Sequence, residues 1–146
     1  MKITFILHGV IKIPIGGVKI IYRYAKELSR LGYEVTIISP KREGNQIDHL
    51  IKASAIKIRD YYHNVENKPY YKIPSGVELS IVPLPIMKYI PDGDVIIATS
   101  WKTARWVNQL PLSKGQKFYF IQSLETWLGN PKKVLATWKM PLQKIV

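Results

Sequence analysis

Apolar positions along the chain switch between two periods. Ile3–Leu7 is a nearly unbroken apolar run, which predicts a strand buried near the centre of a parallel sheet. A loop over residues 9–17 follows. From Val18 the pattern changes: Val18, Ile21, Tyr22, Ala25 and Leu28 fall on one helical stripe. Lys19, Arg23, Lys26, Glu27 and Arg30 lie off it, so a helix is predicted over Val18–Leu31. Gly32 suits its C-terminal end, where a left-handed residue is needed. Glu34–Ser39 is a β-branched strand stopped by Pro40. Strand, helix and strand together make a βαβ unit.

The second half repeats the alternation. Val77, Leu79 and Ile81 alternate with Glu78 and Ser80, and Pro83 and Pro85 end that strand. Asp92-Gly93 turns the chain into a buried strand, Asp94–Ala98. Thr99-Ser100 cap a helix over Trp101–Leu110. Lys114-Gly115 leads into a strand at Lys117–Ile121. Residues 123–138 are expected to be loop with one helix, and Pro141–Val146 to lead into one more strand. Between the halves, Lys41–Lys72 is less regular, with a candidate helix at Ile47–Ile58 and tyrosine pairs at Tyr61-Tyr62 and Tyr70-Tyr71. The fold class is therefore α/β: a Rossmann-like, mostly parallel sheet with helices on both faces, one domain over residues 1–146. The last residues, Lys144-Ile145-Val146, carry no cap or polar tail, so a further domain is expected beyond them.

Composition narrows the function classes. The absence of cysteine excludes disulfides and cysteine-based zinc sites and is compatible with a reducing cytoplasm. The apolar start is too short for a signal peptide, and no run approaches the roughly 20 apolar residues of a membrane span. With 22 Lys plus Arg against 10 Asp plus Glu, the net charge is +12. Such a chain attracts anions: nucleic acid, nucleotide phosphates or an anionic membrane surface. A lysine-rich composition without functional meaning gives the same number. No metal site is expected, because His8, His49 and His63 lack ligand spacing and no acidic cluster replaces them.

In an open parallel sheet, ligands bind at the carboxyl ends of the strands. The candidate loops are those after Leu7, Ser39, Val82, Ala98 and Ile121. Gly16-Gly17 stands at the start of the first helix, where free N–H groups and the helix dipole favour an anion. The two glycines serve equally to build a tight turn. A dinucleotide fingerprint is missing, since Gly9, Gly16 and Gly17 are wrongly spaced and Ser39-Pro40-Lys41-Arg42 offers no acid for a ribose. Lys41 and Arg42 suit an NADP phosphate, so an NADP-binding Rossmann domain stays open as an alternative. No P-loop is present, and no resident cofactor is expected.

Three segments in order carry a resemblance. The first is the loop Gly16-Gly17-Val18 with its helix, ending Leu28-Ser29-Arg30-Leu31-Gly32-Tyr33-Glu34-Val35. The second is Asp94-Val95-Ile96-Ile97-Ala98-Thr99-Ser100-Trp101-Lys102-Thr103-Ala104. The third is Phe118-Tyr119-Phe120-Ile121-Gln122-Ser123-Leu124-Glu125. Together they resemble the amino-terminal domain of retaining GT-B glycosyltransferases of family 4, in a bacterial, rhamnosyltransferase-like branch. The resemblance implies transfer of a sugar from a nucleotide-sugar donor to a glycan or lipid-linked acceptor, as in cell-surface polysaccharide synthesis. It implies that the donor nucleotide sits mainly in a carboxyl-terminal domain absent from this chain. Gly16 and Gly17, with His8 beside them, would then face the donor phosphate or sugar. Gln122 and Glu125 would reach the catalytic cleft, and Ser100 and Trp101 the acceptor.

Each of these residues also has a structural reading. Ser100 is an N-cap, a lone histidine is more often structural, and Trp101, Trp106, Trp127 and Trp138 serve as packing. Gln122 and Glu125 stabilise a loop equally well. Lys132, Lys133, Lys139 and Lys144 near Trp127 and Trp138 suit peripheral contact with an anionic membrane at the cytoplasmic face, or simply a solvated basic surface. A standalone basic module for nucleic acid is the other alternative. Against it, aromatics are not interleaved with Lys and Arg, and no helix-turn-helix pattern exists, so nucleic acid is not an expected partner.

Overall fold

The computed structural model describes residues 1–41, 69–127 and 129–146. The candidate helix at Ile47–Ile58, the Tyr61-Tyr62 pair, Arg42, His49 and His63 lie outside the described residues. Six strands form one sheet: β1 (Lys2–Ile6), β2 (Glu34–Pro40), β3 (Val77–Val82), β4 (Val95–Ala98), β5 (Gln116–Phe120) and β6 (Gln143–Ile145). Their order is β3-β2-β1-β4-β5-β6, and every neighbouring pair is parallel. This is the doubly wound order of Rossmann-type folds, with the reversal between β1 and β4.

The alternation of side chains explains how the layers form. Ile3, Phe5, Val35, Ile37 and Val77 point to one face, where they bury Val18, Ile21, Tyr22 and Ala25 of α1 (Gly16–Arg30). Ile6, Ile38, Ile96 and Ala98 point to the other, against Ala104, Trp106 and Val107 of α2 (Trp101–Gln109). A third helix, α3 (Pro131–Trp138), packs beside α2 and buries Val134 and Thr137. Burying one such aliphatic side chain contributes roughly 1.5–3 kcal/mol, so these two layers dominate stability.

Several boundaries shift by a residue or two from the sequence reading, and β2 runs through Pro40 instead of stopping before it. Helix α1 begins at Gly16, two residues early, because both glycines take helical backbone angles. Helix α3 has a capping signal, Asn130-Pro131: the Asn130 side chain accepts from the N–H groups of Lys132 and Lys133, and proline sits at the first turn. Asp94 is not part of β4; its carboxylate accepts from the Lys2 N–H at 2.6 Å. At the other end of α1, Gly32 has φ of 87°, and the N–H of Tyr33 reaches back to the Leu28 carbonyl. That is the left-handed stop expected of it.

Candidate functional site

The strand order reverses between β1 and β4, so the loops leaving these strands pass to opposite faces of the sheet, and side chains brace this rim of loop ends. The Thr99 hydroxyl, just past β4, donates to the Ile6 carbonyl at 2.7 Å. The Ser39 hydroxyl at the end of β2 donates to the Gly9 carbonyl at 2.8 Å. These bonds fix the loop ends after β1, β2 and β4 relative to one another. His8 is half-buried on this rim, immediately after the buried Leu7.

Helix α1 starts after the loop that leaves β1, with no side-chain cap on its N–H groups. Ile15 is the N-cap residue; it provides no side-chain bond, and the first turn holds no acid. The N–H groups of Val18 and Lys19 both reach the Ile15 carbonyl. Among the described residues, nothing accepts from Gly16 or Gly17. Neither glycine has a positive φ, and a Cβ built on Gly16 would meet nothing within 4 Å. The backbone therefore does not require glycine there. A glycine in a helix costs roughly 0.5–1 kcal/mol relative to alanine, less at the first turn. Gly16 leaves its side-chain position open at the helix start, where the N–H groups carry the positive end of the dipole.

Gln122 belongs to this corner. A Cβ on Gly17 would lie 3.0 Å from Gln122 Oε1, so the exposed amide lies across the second helical residue. The loop after β5 and the start of α1 thus come together.

Glu125 behaves differently. It sits in a short 3-10 turn, Glu125–Trp127, and its Oε2 accepts from the Trp101 N–H at 2.7 Å and from the Tyr119 hydroxyl at 3.3 Å. The carboxylate therefore caps the free N-terminus of α2. Burial raises its pKa above the usual carboxylate value, opposed by those two hydrogen bonds and by the Lys102 charge. Burial also pushes the Tyr119 hydroxyl up to about 12. Tyr119 was not singled out from the sequence, and Thr99 only as a helix cap. Tyr119 looked like one more aromatic in a strand, and only the distance of six residues to an acid hinted at a partner.

Ser100 and Trp101 occupy the start of α2. The Ser100 hydroxyl accepts from the Thr103 N–H, and the Thr103 hydroxyl accepts from the Ser100 N–H: a reciprocal capping box. Ser100 is buried, and so is Trp101, whose ring packs so closely on Gly129 that a Cβ there would lie 2.6 Å from it. Trp101 thus holds the α3 approach loop against α2, while Trp127 and Trp138 are exposed. Gly16, Gly17 and Gln122 cluster, Glu125 with Ser100 and Trp101 form a second group at the α2 start, and His8 lies on the loop after β1.

Among the described residues no group of three His, Asp or Glu side chains is placed to hold a metal. No described helix is long and apolar enough to cross a membrane. The fold, a six-stranded parallel sheet with helices on both faces, resembles that of Rossmann-type domains. No protein-family model matches the chain, and no curated protein or solved structure matches it either.

Proposed function

We propose that this chain forms one wall of a sugar-nucleotide-dependent glycosyltransferase, with the donor's phosphates facing Gly16 and Gly17. The observation that carries this reading is the uncapped, acid-free start of α1 at the strand-order reversal, with two glycines that the backbone conformation does not need. A diphosphate leaving group gains negative charge as the glycosidic bond to the donor breaks. Preorganised N–H groups at that point stabilise it without reorganising. Gln122, lying over Gly17, supplies an amide that both donates to and accepts from sugar hydroxyls.

In this reading Glu125 acts by position. Its carboxylate fixes the α2 start and, with Tyr119, sets the floor beneath the Gln122 loop. The nucleotide and most of the sugar are held by a second domain, and the acceptor is a glycan or lipid-linked sugar. Basic residues of α3 beside the exposed Trp127, Leu135 and Trp138 suit a peripheral contact with an anionic membrane surface.

An NADP-binding reading draws on the same strand order and on Lys41 directly after β2. The glycine spacing argues against it, since no G-x-G-x-x-G links β1 to α1. The test is Gly16→Val in the intact enzyme. The variant is expected to keep a native circular dichroism spectrum and lose transfer activity by at least tenfold; unchanged kcat/KM in a folded variant would overturn the assignment.

A further inference from the structure

A different feature lies at the opposite end of the strands, on the face away from α1. Parallel sheets are normally covered and apolar on both faces. Here the register sets Thr4, Thr36 and Glu78 side by side as one rung across β1, β2 and β3. The next rung ends in Ser80. The connection from β3 to β4 crosses this face with a single 3-10 turn, Met87–Tyr89, in place of an α-helix, and leaves an open groove of about 360 Å³, rimmed by Lys88, Tyr89 and Asp92. Small-ligand clefts span about 300–1,000 Å³.

The floor of the groove is what makes it a site. Thr4 is 2% exposed and Thr36 8%, yet no described residue hydrogen-bonds either hydroxyl. No fully sealed side-chain oxygen or nitrogen lacks a partner among the described residues, so these two hydroxyls are reached from the groove. A helix packed on this face would need apolar residues where Thr4, Thr36, Glu78 and Ser80 stand.

The charges define the ligand class. Lys2 pairs with Glu34 at 3.5 Å, and Asp92 with Lys114 at 2.7 Å. Among the described residues of the groove that leaves one carboxylate, Glu78, and one ammonium, Lys88, whose Nζ lies 5.6 Å from the centre of the Tyr89 ring. The groove thus offers hydroxyls, one acceptor charge, one donor charge and an aromatic face, with no net preference for an ion. Glu78 would repel a phosphate.

We propose that this groove binds a neutral saccharide of one or two residues. Sugar hydroxyls donate to Glu78 and accept from Lys88, Thr4 and Thr36, while the apolar face of the ring lies against Tyr89. The site is independent of the proposed donor position, which lies at the far end of β1, roughly 15 Å away along the strand.

The experiment is a nuclear magnetic resonance titration of the protein with glucose, galactose, mannose, N-acetylglucosamine and their disaccharides. Inorganic phosphate and glycine serve as probes of the other ligand classes. At least one sugar is expected to shift the Thr4, Thr36, Glu78 and Tyr89 amides saturably, and phosphate and glycine are not. Thr36→Val, which keeps the side-chain shape, is expected to weaken binding roughly three- to tenfold, and Glu78→Gln likewise. The proposal is overturned if no sugar moves these amides, if phosphate or glycine does so instead, or if both variants bind as the parent does. Donor binding is read separately at the Gly16 and Gly17 amides, so the two readings fail independently.

Discussion

Replacing Gly16 by alanine separates the demands of folding from those of binding. Gly16 is the first helical residue, its φ is not positive, and a Cβ there touches nothing within 4 Å. Alanine fits without strain and lowers the entropy of the unfolded chain. Such changes stabilise by about 0.4–1 kcal/mol, which for a domain of this size raises Tm by roughly 1–4 °C. The same methyl fills the side-chain position left open at the helix start. A charge-assisted hydrogen bond contributes about 1.5–3 kcal/mol. Losing one costs roughly 10- to 100-fold in affinity, at 1.4 kcal/mol per decade. Differential scanning calorimetry gives the first quantity, and titration with sugar nucleotides, the donors of the proposed function, gives the second. Stability up and affinity down is the expected pair. A lower Tm would mean that the helix start is strained in a way the backbone angles hide. A higher Tm with unchanged donor affinity would mean that no ligand approaches Gly16. Gly17→Ala is the companion: its methyl would lie 3.0 Å from Gln122 Oε1, so the exposed amide must shift by a few tenths of an ångström.

Glu125→Ala removes the acceptor for the Trp101 N–H and is expected to lower stability by about 1–2 kcal/mol in urea unfolding; no loss would deny the capping role. Burial holds the Glu125 pKa above its ordinary 4.5, so the folded state retains the proton longer than the unfolded chain. Its contribution is full below pH 4.5 and is lost as pH rises through the folded-state value. Glu125→Gln is therefore expected to flatten the stability–pH slope in that range. Ser100→Ala breaks the capping box at α2 and is expected to cost about 1 kcal/mol, measured the same way. In a sedimentation assay, vesicles containing phosphatidylglycerol are expected to retain the protein at low salt, and Lys132→Glu with Lys133→Glu to release it. Equal retention by neutral vesicles would contradict an electrostatic contact.

The sequence made the layered sheet readable because its signals were local and repeated. Ile3–Leu7 and Val95–Ala98 are nearly unbroken apolar runs and Glu34–Ser39 is β-branched, the signals of strands inside a parallel sheet, and the stripe from Val18 to Leu28 allows one helix face. The Gly16–Gly17 corner was legible for the same reason: glycine before a helix is a local signal. The proximity of Gln122 to Gly17 followed from topology, since both follow the carboxyl end of a strand. The role of Glu125 was not legible. Its partner, the Trp101 N–H, lies 24 residues away, and a free backbone group leaves no mark in the sequence. Trp101 could not be sorted from Trp127 because burial depends on Gly129 closing over one ring. The polar groove was half visible, in the alternation of Glu78 and Ser80 with apolar neighbours. Its floor needed the register that brings Thr4, Thr36 and Glu78 into one rung.

The central claim is that the α1 start faces a donor's phosphates while a second domain supplies most of the affinity. Residues 1–146 alone, titrated with UDP-, GDP- and dTDP-sugars and with NADPH, test it most directly, by calorimetry and by amide shifts together. The expected result is weak binding of the sugar nucleotides, with shifts centred on Gly16, Gly17 and Gln122, and no transfer activity. Submicromolar binding of any sugar nucleotide by this chain alone, tighter binding of NADPH, or shifts that bypass Gly16 and Gly17 would contradict it.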